Sequence, residues 1–291
     1  MNVAGFTFIR NAETYGYPIV EAIESILPLC DEFVVAMGNS TDDTLGLIER
    51  IGSPKIRIIH TVWDDNLREG GRVLARETDK ALAAISPGMD WAFYIQGDEV
   101  LHEQYLDTVR QAMLDNLTNP TVEGLLFRYV HFFGSYRYVG NSRQWYRREI
   151  RVIRPTGQVM SYRDAQGFRK KDNTKLRVKL IDACIYHYGW VKPVALQRAK
   201  YSYFQRFWHT ETALKKIAKE AEAFSYEQNI DSLAEFTGSH PAVMQGRITA
   251  ADNSFTFDTR IHRYSFRVRL LTAIEHITGW RIGEYRNYKL L

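Results

Sequence analysis

An apolar run from Trp91 to Ile95 leads through Gln96 and Gly97 into two adjacent carboxylates, Asp98 and Glu99. An apolar run without alternation predicts a strand covered on both faces, and the glycine lets the chain turn sharply at its end. In open α/β sheets the ligand crevice lies beyond the carboxyl ends of the strands. Carboxylates at that point are placed to hold a divalent cation, Mn2+ or Mg2+, against a phosphorylated ligand. The competing reading is a solvated turn that opens the next helix. His187, at the end of another apolar run and two residues before Gly189, is a candidate cation or phosphate contact through a neutral ring nitrogen. Asp164 lies in a glycine-containing loop among cations that would keep it ionised, which makes it the candidate general base; Glu149 and Asp172 compete with it. Arg163, Arg169 and Lys170 are candidate contacts to a diphosphate or an acceptor.

The elements that must position these residues follow from the hydrophobic pattern. Short apolar runs at Val3–Ile9, Glu32–Ala36 and Lys55–His60 alternate with helical patterns, predicting β-α-β units and a mainly parallel sheet. Arg10, Asn11 and Glu13 follow the first strand, and Pro18 opens a helix running to about Leu29. The turn Met37 to Thr44 supplies N-caps to a helix continuing to Ile51. Gly71 allows close helix approach ahead of a face formed by Leu74, Thr78, Leu82 and Ile85. Tyr105, Val109, Met113 and Leu117 recur every four residues and predict an amphipathic helix in the segment after Asp98 and Glu99, and strands are expected at Gly124–Phe133 and Ile181–Tyr188. Between them, from Ser135 to Lys179, periodicity is lost, predicting loops and short strands that form a lid or second wall. The chain beyond Trp190 reads as mostly helical. Its last apolar stripe, Leu270, Ile274 and Ile277, ends at Gly279 and is expected to pack on the main domain with Arg263, Arg267 and Arg269 solvated.

With 45% hydrophobic residues in 291, the chain can bury one large core or one core with an appendage. No stretch approaches the roughly 20 apolar residues of a membrane span, and the first residues lack a signal-peptide pattern, so the expected location is cytoplasmic, with the inner membrane face a further option through the basic C-terminal residues. Cys30 and Cys184 are too few for a disulfide framework or thiolate zinc site. The formal net charge of +4 hides a division: residues 1–136 carry 10 Lys/Arg against 20 Asp/Glu, and residues 137–179 carry 13 against 3. That basic block is expected to be a partly mobile wall closing over donor or acceptor. A nucleic acid polymer is not an expected partner, because no helix-turn-helix, zinc-finger or RNA-recognition pattern is present.

The succession Phe8-Ile9-Arg10-Asn11-Ala12-Glu13, Gly38-Asn39-Ser40-Thr41-Asp42-Asp43-Thr44, Gly70-Gly71 and Gln96-Gly97-Asp98-Glu99 resembles an inverting family 2 glycosyltransferase of GT-A fold over residues 1–135. Asp164 to Arg169, Tyr186 to Trp190 and Gly283 to Tyr288 are similar to a bacterial branch of such enzymes. The resemblance implies an α/β fold of GT-A type: a Rossmann-like mixed, mainly parallel sheet flanked by helices, with a helical C-terminal extension. Residues 1–190 would be the catalytic domain and 191–291 the extension packed on it. It implies transfer of a sugar from a nucleotide-diphosphate sugar to a glycan or lipid-linked acceptor with inversion, as in polysaccharide biosynthesis. Phe8, Arg10, Asn11, Glu13, Asn39, Ser40, Gly71, Gln96, Gly97, Asp98, Arg163 and Arg169 would bind the nucleotide sugar; Asp98, Glu99 and His187 would hold the metal; Asp164 would be the base. Two positions depart from the family pattern: Ala36-Met37 replaces an aspartate that reads the base, and Gln96 replaces the first aspartate of the metal motif. A nucleotidyltransferase making nucleotide sugars, or a non-catalytic nucleotide- or glycan-binding module, are the alternatives. The former would show a glycine-rich phosphate loop after the first strand, and none is present.

Overall fold

The apolar runs become strands where the pattern places them: β1 (Val3–Ile9), β2 (Glu32–Met37), β3 (Ile56–His60) and β4 (Trp91–Tyr94). They pair in parallel in the order β3-β2-β1-β4. β4 is buried throughout, as its unalternating composition requires. The crossovers α1 (Ile19–Ile26), α2 (Thr44–Glu49) and α3 (Arg72–Ala83) cover the two faces, α1 burying Ile19, Ala22, Ile23 and Ile26, and α3 burying Val73, Leu74 and Ala81. The computed structural model describes residues 1–67, 70–209, 213–214, 222–251 and 254–291. The helical expectation for 215–221 lies outside them.

Past β4 the sheet changes direction. β8 (Arg148–Ile153) pairs antiparallel with both β4 and β6 (Gly124–Phe133), and β7 (Ser135–Gly140) follows β6. β6 also carries the long β11 (Leu176–Trp190) in parallel. β5 (Glu99–Leu101) adds antiparallel to β11, and α4 (Leu106–Asp115) follows it. The result is a mixed 11-stranded sheet flanked by helices, the α/β class expected from the sequence, with β9 (Val159–Tyr162) and β10 (Gly167–Lys170) forming a separate two-stranded ribbon.

Glu99 opens the short β5 on β11, and the helix expected through Tyr105, Val109 and Met113 follows it as α4. Two expectations need correcting. Residues 137–179 form the short strands and loops expected, but several of their cations are held by protein carboxylates and not left free: Arg143 and Arg147 by Glu275, Arg151 by Glu99, and Lys170 by Glu123. The last apolar stripe does not pack inward. In α7 (Phe266–Thr278), which Gly279 closes in the left-handed region, Leu270 and Ile277 are exposed and only Ile274 is half-buried.

Beyond Trp190, α5 (Val194–Phe204), α6 (Gln245–Ala250) and α7 predominate, yet two short strands return to the sheet, β12 (Leu233–Glu235) on β7 and β13 (Tyr288–Leu290) on β11. No described helix is long and apolar enough to cross a membrane.

Candidate active site

Strand register brings the acidic turn and His187 together. β11 aligns His187 with Glu99 on one side and with His131 of β6 on the other, and the Tyr188 amide donates to the Asp98 carbonyl at 2.8 Å. Asp98 Oδ2 then lies 3.8 Å from His187 Nε2 and accepts from Lys200 Nζ of α5 at 3.1 Å. Gly189 makes room for both side chains: a Cβ there would stand 2.7 Å from Asp98 Oδ2 and 2.8 Å from the His187 ring. Burial by itself would raise the Asp98 carboxyl, but the Lys200 ammonium, which also donates to it, outweighs burial and holds the group well below the usual carboxylate range.

A proton relay fixes the tautomer of His187. His131 Nε2 is 2.7 Å from the Tyr146 carbonyl, which can only accept, so that nitrogen carries hydrogen and the other, Nδ1, is the lone pair. His187 Nδ1 sits 3.2 Å from it and must donate, which leaves His187 Nε2 as a bare lone pair facing Asp98. This tautomer is assigned from the hydrogen-bond network. Burial keeps both rings neutral, lowering His187 below its ordinary value and pushing His131 down to about 3. A carboxylate oxygen and an imidazole lone pair converge on one point, with a second histidine orienting the first. Such a donor pair suits a hard or borderline divalent cation, which Asp98 and His187 would hold. Among the described residues no cluster of three or more His, Cys, Asp or Glu surrounds such a point.

Glu99 is not the supporting ligand it was expected to be. It is fully buried; its oxygens accept from Arg151 Nη2 at 2.7 Å and Nε at 2.8 Å, from Tyr129 Oη at 2.7 Å and from the Gln96 amide at 3.1 Å. Its charge is committed to joining β5 to β8.

The loops after β1 and β2 are sewn together. Asn11, at φ 55°, donates its amide to Ser40 Oγ at 2.9 Å and accepts at Oδ1 from the Thr41 amide at 2.8 Å. The Ala12 amide donates to Thr44 Oγ1, the Thr14 amide to Asp42, and the Asp43 amide to Glu13. Alongside, Arg10 pairs with Asp65 at 2.7 Å and lies over the rings of Trp63 and Tyr203, while Phe8 packs on Trp63 and Asn39 accepts from the Trp63 amide at 3.3 Å. Arg10, Asn11, Glu13, Asn39 and Ser40 thus share one cradle beyond the ends of β1 and β2, with Phe8 at the end of β1 beside it.

Gln96 ties the acidic turn to the loop that carries Asp164. Its Nε2 donates to the Ala165 carbonyl at 3.1 Å, a neutral bond that an aspartate could not donate. Gly97 is buried at the turn. Asp164 borders a crevice of about 440 Å³ lined by Gly70, Arg72, Arg163, Gln166 and Trp208. Gly71, left-handed at φ 69°, lets this loop close on α3: a Cβ there would fall 2.7 Å from Asp164 Cβ. Contrary to expectation, Asp164 is raised, because burial outweighs Arg163. Glu149 is buried beside the same loop and pushed up to about 8 by desolvation. Asp172 is exposed and caps its own turn, accepting from the Thr174 amide and hydroxyl.

Arg163 is exposed, lying over Tyr162 and Tyr285. Arg169 is not free for a diphosphate: it donates to Asn287 at 2.7 Å, Asn173 at 2.8 Å and Tyr285 at 3.1 Å. Lys170 is held by Glu123 at 2.6 Å. Sequence reasoning missed Lys200, His131 and Lys192. His131, a polar residue inside the aromatic strand β6, was the available signal; the two lysines gave none. Lys192 is buried, its amine lowered by desolvation, donating to the Tyr15 carbonyl at 2.8 Å beside the Tyr17 ring. It lines a further cavity of about 520 Å³ with Tyr136, Tyr226, Arg247 and Phe255.

No family model matches the chain. No curated protein matches it. Among solved structures, glucosyl-3-phosphoglycerate synthase from Mycobacterium tuberculosis, in complex with Mn2+, uridine diphosphate and phosphoglyceric acid, is similar at 24% identity over 45% of this chain and 43% of that chain, with a TM-score of 0.30. The same enzyme with Mg2+ and uridine diphosphate gives 23% identity, 45% and 43% coverage and a TM-score of 0.31. A protein described as mycobacterial gives 20% identity, 46% and 42% coverage and a TM-score of 0.30. The chain spans under half the length of each, and a likeness of this size carries no functional argument.

Proposed function

We propose that this protein transfers a sugar from a nucleoside-diphosphate sugar to a hydroxyl of a glycan or lipid-linked acceptor, with a divalent cation held by Asp98 and His187 in a GT-A-type site. The observation that carries the reading is the relay from the Tyr146 carbonyl through His131 to His187, which leaves an imidazole lone pair facing a buried carboxylate at the carboxyl end of the sheet. The cation, when bound, supplies positive charge to the departing diphosphate.

The protein's own groups do the rest. Asn11, Ser40 and the sewn loops hold the nucleotide, and Arg10 with Trp63 and Phe8 forms its side wall. Lys200 is a fixed ammonium beside Asp98, placed to balance charge that develops on the leaving oxygen. Asp164, made more basic by burial, takes the acceptor proton, and Gln96 keeps its loop in register with the acidic turn. Inversion is carried over from the sequence resemblance and needs only this one base.

The test is calorimetric titration of uridine diphosphate with and without Mn2+ into wild type and Asp98→Asn. Asp98→Asn should lose the Mn2+-dependent part of binding and nearly all sugar transfer, while keeping the wild-type melting temperature within a few degrees. Equal Mn2+ enhancement in the two proteins would remove Asp98 as a cation ligand and with it this reading.

A further inference from the structure

α7 presents an apolar face to solvent, and its opposite face is bolted to the protein. Glu275 accepts from Arg143 and, at 3.1 Å, from Arg147, and lies 3.8 Å from Arg281; Arg143 also donates to the Leu271 carbonyl. Residues three and four apart share a helix face, so Phe266, Leu270, Ala273 and Ile277 form one stripe, directly opposite Glu275. Phe266 is 83% exposed, Ile277 85%, Leu270 53%, and Trp280, just past the Gly279 cap, 62%. Val268, Leu271 and Thr272, on the anchored side, are half-buried. The orientation is therefore fixed by ion pairs that hold the apolar stripe outward, where water alone would favour the reverse.

Cations border the stripe on both sides. Arg267 and Arg269 flank it on the helix, both exposed and without an ion-pair partner among the described residues, and exposed Arg263 precedes it. An outward apolar stripe, unpaired arginines on either edge and a tryptophan at the end are the parts of a helix lying in a membrane interface. A protein partner would need a shaped groove for a helix; a flat lipid surface needs only the stripe and negative charge. We propose that α7 docks this protein on an anionic lipid surface, Phe266, Leu270, Ile277 and Trp280 entering the head-group layer and Arg267 and Arg269 meeting the lipid charges.

The docking helix is joined to the candidate site. Arg143 and Arg147, which grip Glu275, flank the Trp145-Tyr146 turn that orients His131. Docking therefore specifies where the lipid-linked acceptor of the reading above would be met. In that respect it rests on that reading; the docking test measures no transfer, so either can fail alone.

Full-length protein is sedimented with vesicles of phosphatidylcholine alone or with added phosphatidylglycerol. Wild type should bind the anionic vesicles and not the neutral ones. The triple variant Phe266→Ser, Leu270→Ser, Ile277→Ser, which alters only exposed side chains and should keep the wild-type melting temperature, should bind at least about tenfold more weakly. Arg267→Gln with Arg269→Gln should weaken binding by about fivefold per arginine. Absence of vesicle binding by wild type, unchanged binding by the triple variant, or a wild-type dimer in solution that the triple variant dissolves would each overturn the proposal, the last assigning the stripe to a second copy of the chain.

Discussion

His131 is worth more to the site than its position suggests. It is not itself a proposed cation ligand, yet its hydrogen bond to His187 sets which nitrogen of that ring carries hydrogen. His131→Phe keeps the ring stacking and removes the acceptor, so His187 can turn over its tautomer. We expect the Mn2+ concentration for half-maximal nucleotide binding to rise about 10- to 100-fold while nucleotide binding without metal stays unchanged, read by the same calorimetry. An unaltered Mn2+ requirement would reduce His131 to a packing residue. At this scale the sequence was partly legible. Asp98 and His187 stood out because each closes an apolar run. Glu99 and Arg169 misled because their true partners, Arg151 for the first and Asn287 for the second, lie far along the chain and nothing local announces them.

Between elements, one ion pair holds the acidic turn in place. Arg151 of β8 and Glu99 of β5 are both fully buried, and the guanidinium lies between the rings of Tyr94 and Tyr129. Arg151→Met would strand the Glu99 charge in the interior, at a cost of about 3–5 kcal/mol measured by denaturant unfolding. Adding Glu99→Leu should recover a large part of that loss, since no charge then remains buried; a double variant no more stable than the single one would mean that the pair has little to do with stability. Gly189→Ala separates site from scaffold. Its Cβ would displace the Asp98 carboxylate and the His187 ring, so Mn2+-dependent nucleotide binding should fall by more than about tenfold, with a modest change in melting temperature. The first four strands were readable from apolar runs alone. β5 was not, since its three residues have a strand partner only once β11 has arrived from residues 176–190. For the same reason the cations of the basic block looked free: they find their partners in the last twenty residues and in the acidic first half.

For the whole molecule, two buried groups set the limits of stability with pH. Desolvation pushes Glu149 up to about 8, whereas the unfolded carboxyl ionises near about 4.3. Its contribution to folding is complete below the unfolded value and is lost as pH rises through about 8. His131 runs the other way. Held near about 3 in the fold and near about 6.5 when unfolded, it contributes fully above the unfolded value and loses that contribution as pH falls through about 3. Melting temperature should therefore be flat from about pH 4.3 to about pH 6.5, where the two slopes oppose each other, and decline on both sides, and Glu149→Gln should remove the alkaline decline and let the acid one begin at about pH 6.5; an alkaline limb identical in the variant would place that sensitivity elsewhere. The sewn loops after β1 and β2 have a further consequence. The amides of Asn11, Ala12, Thr14 and Thr41 already have protein acceptors before any ligand arrives. The proposed donor cradle is thus a casting and not a clay: it cannot remould itself around a ligand of the wrong shape, and those four amide protons should exchange slowly with solvent deuterium whether or not a ligand is present.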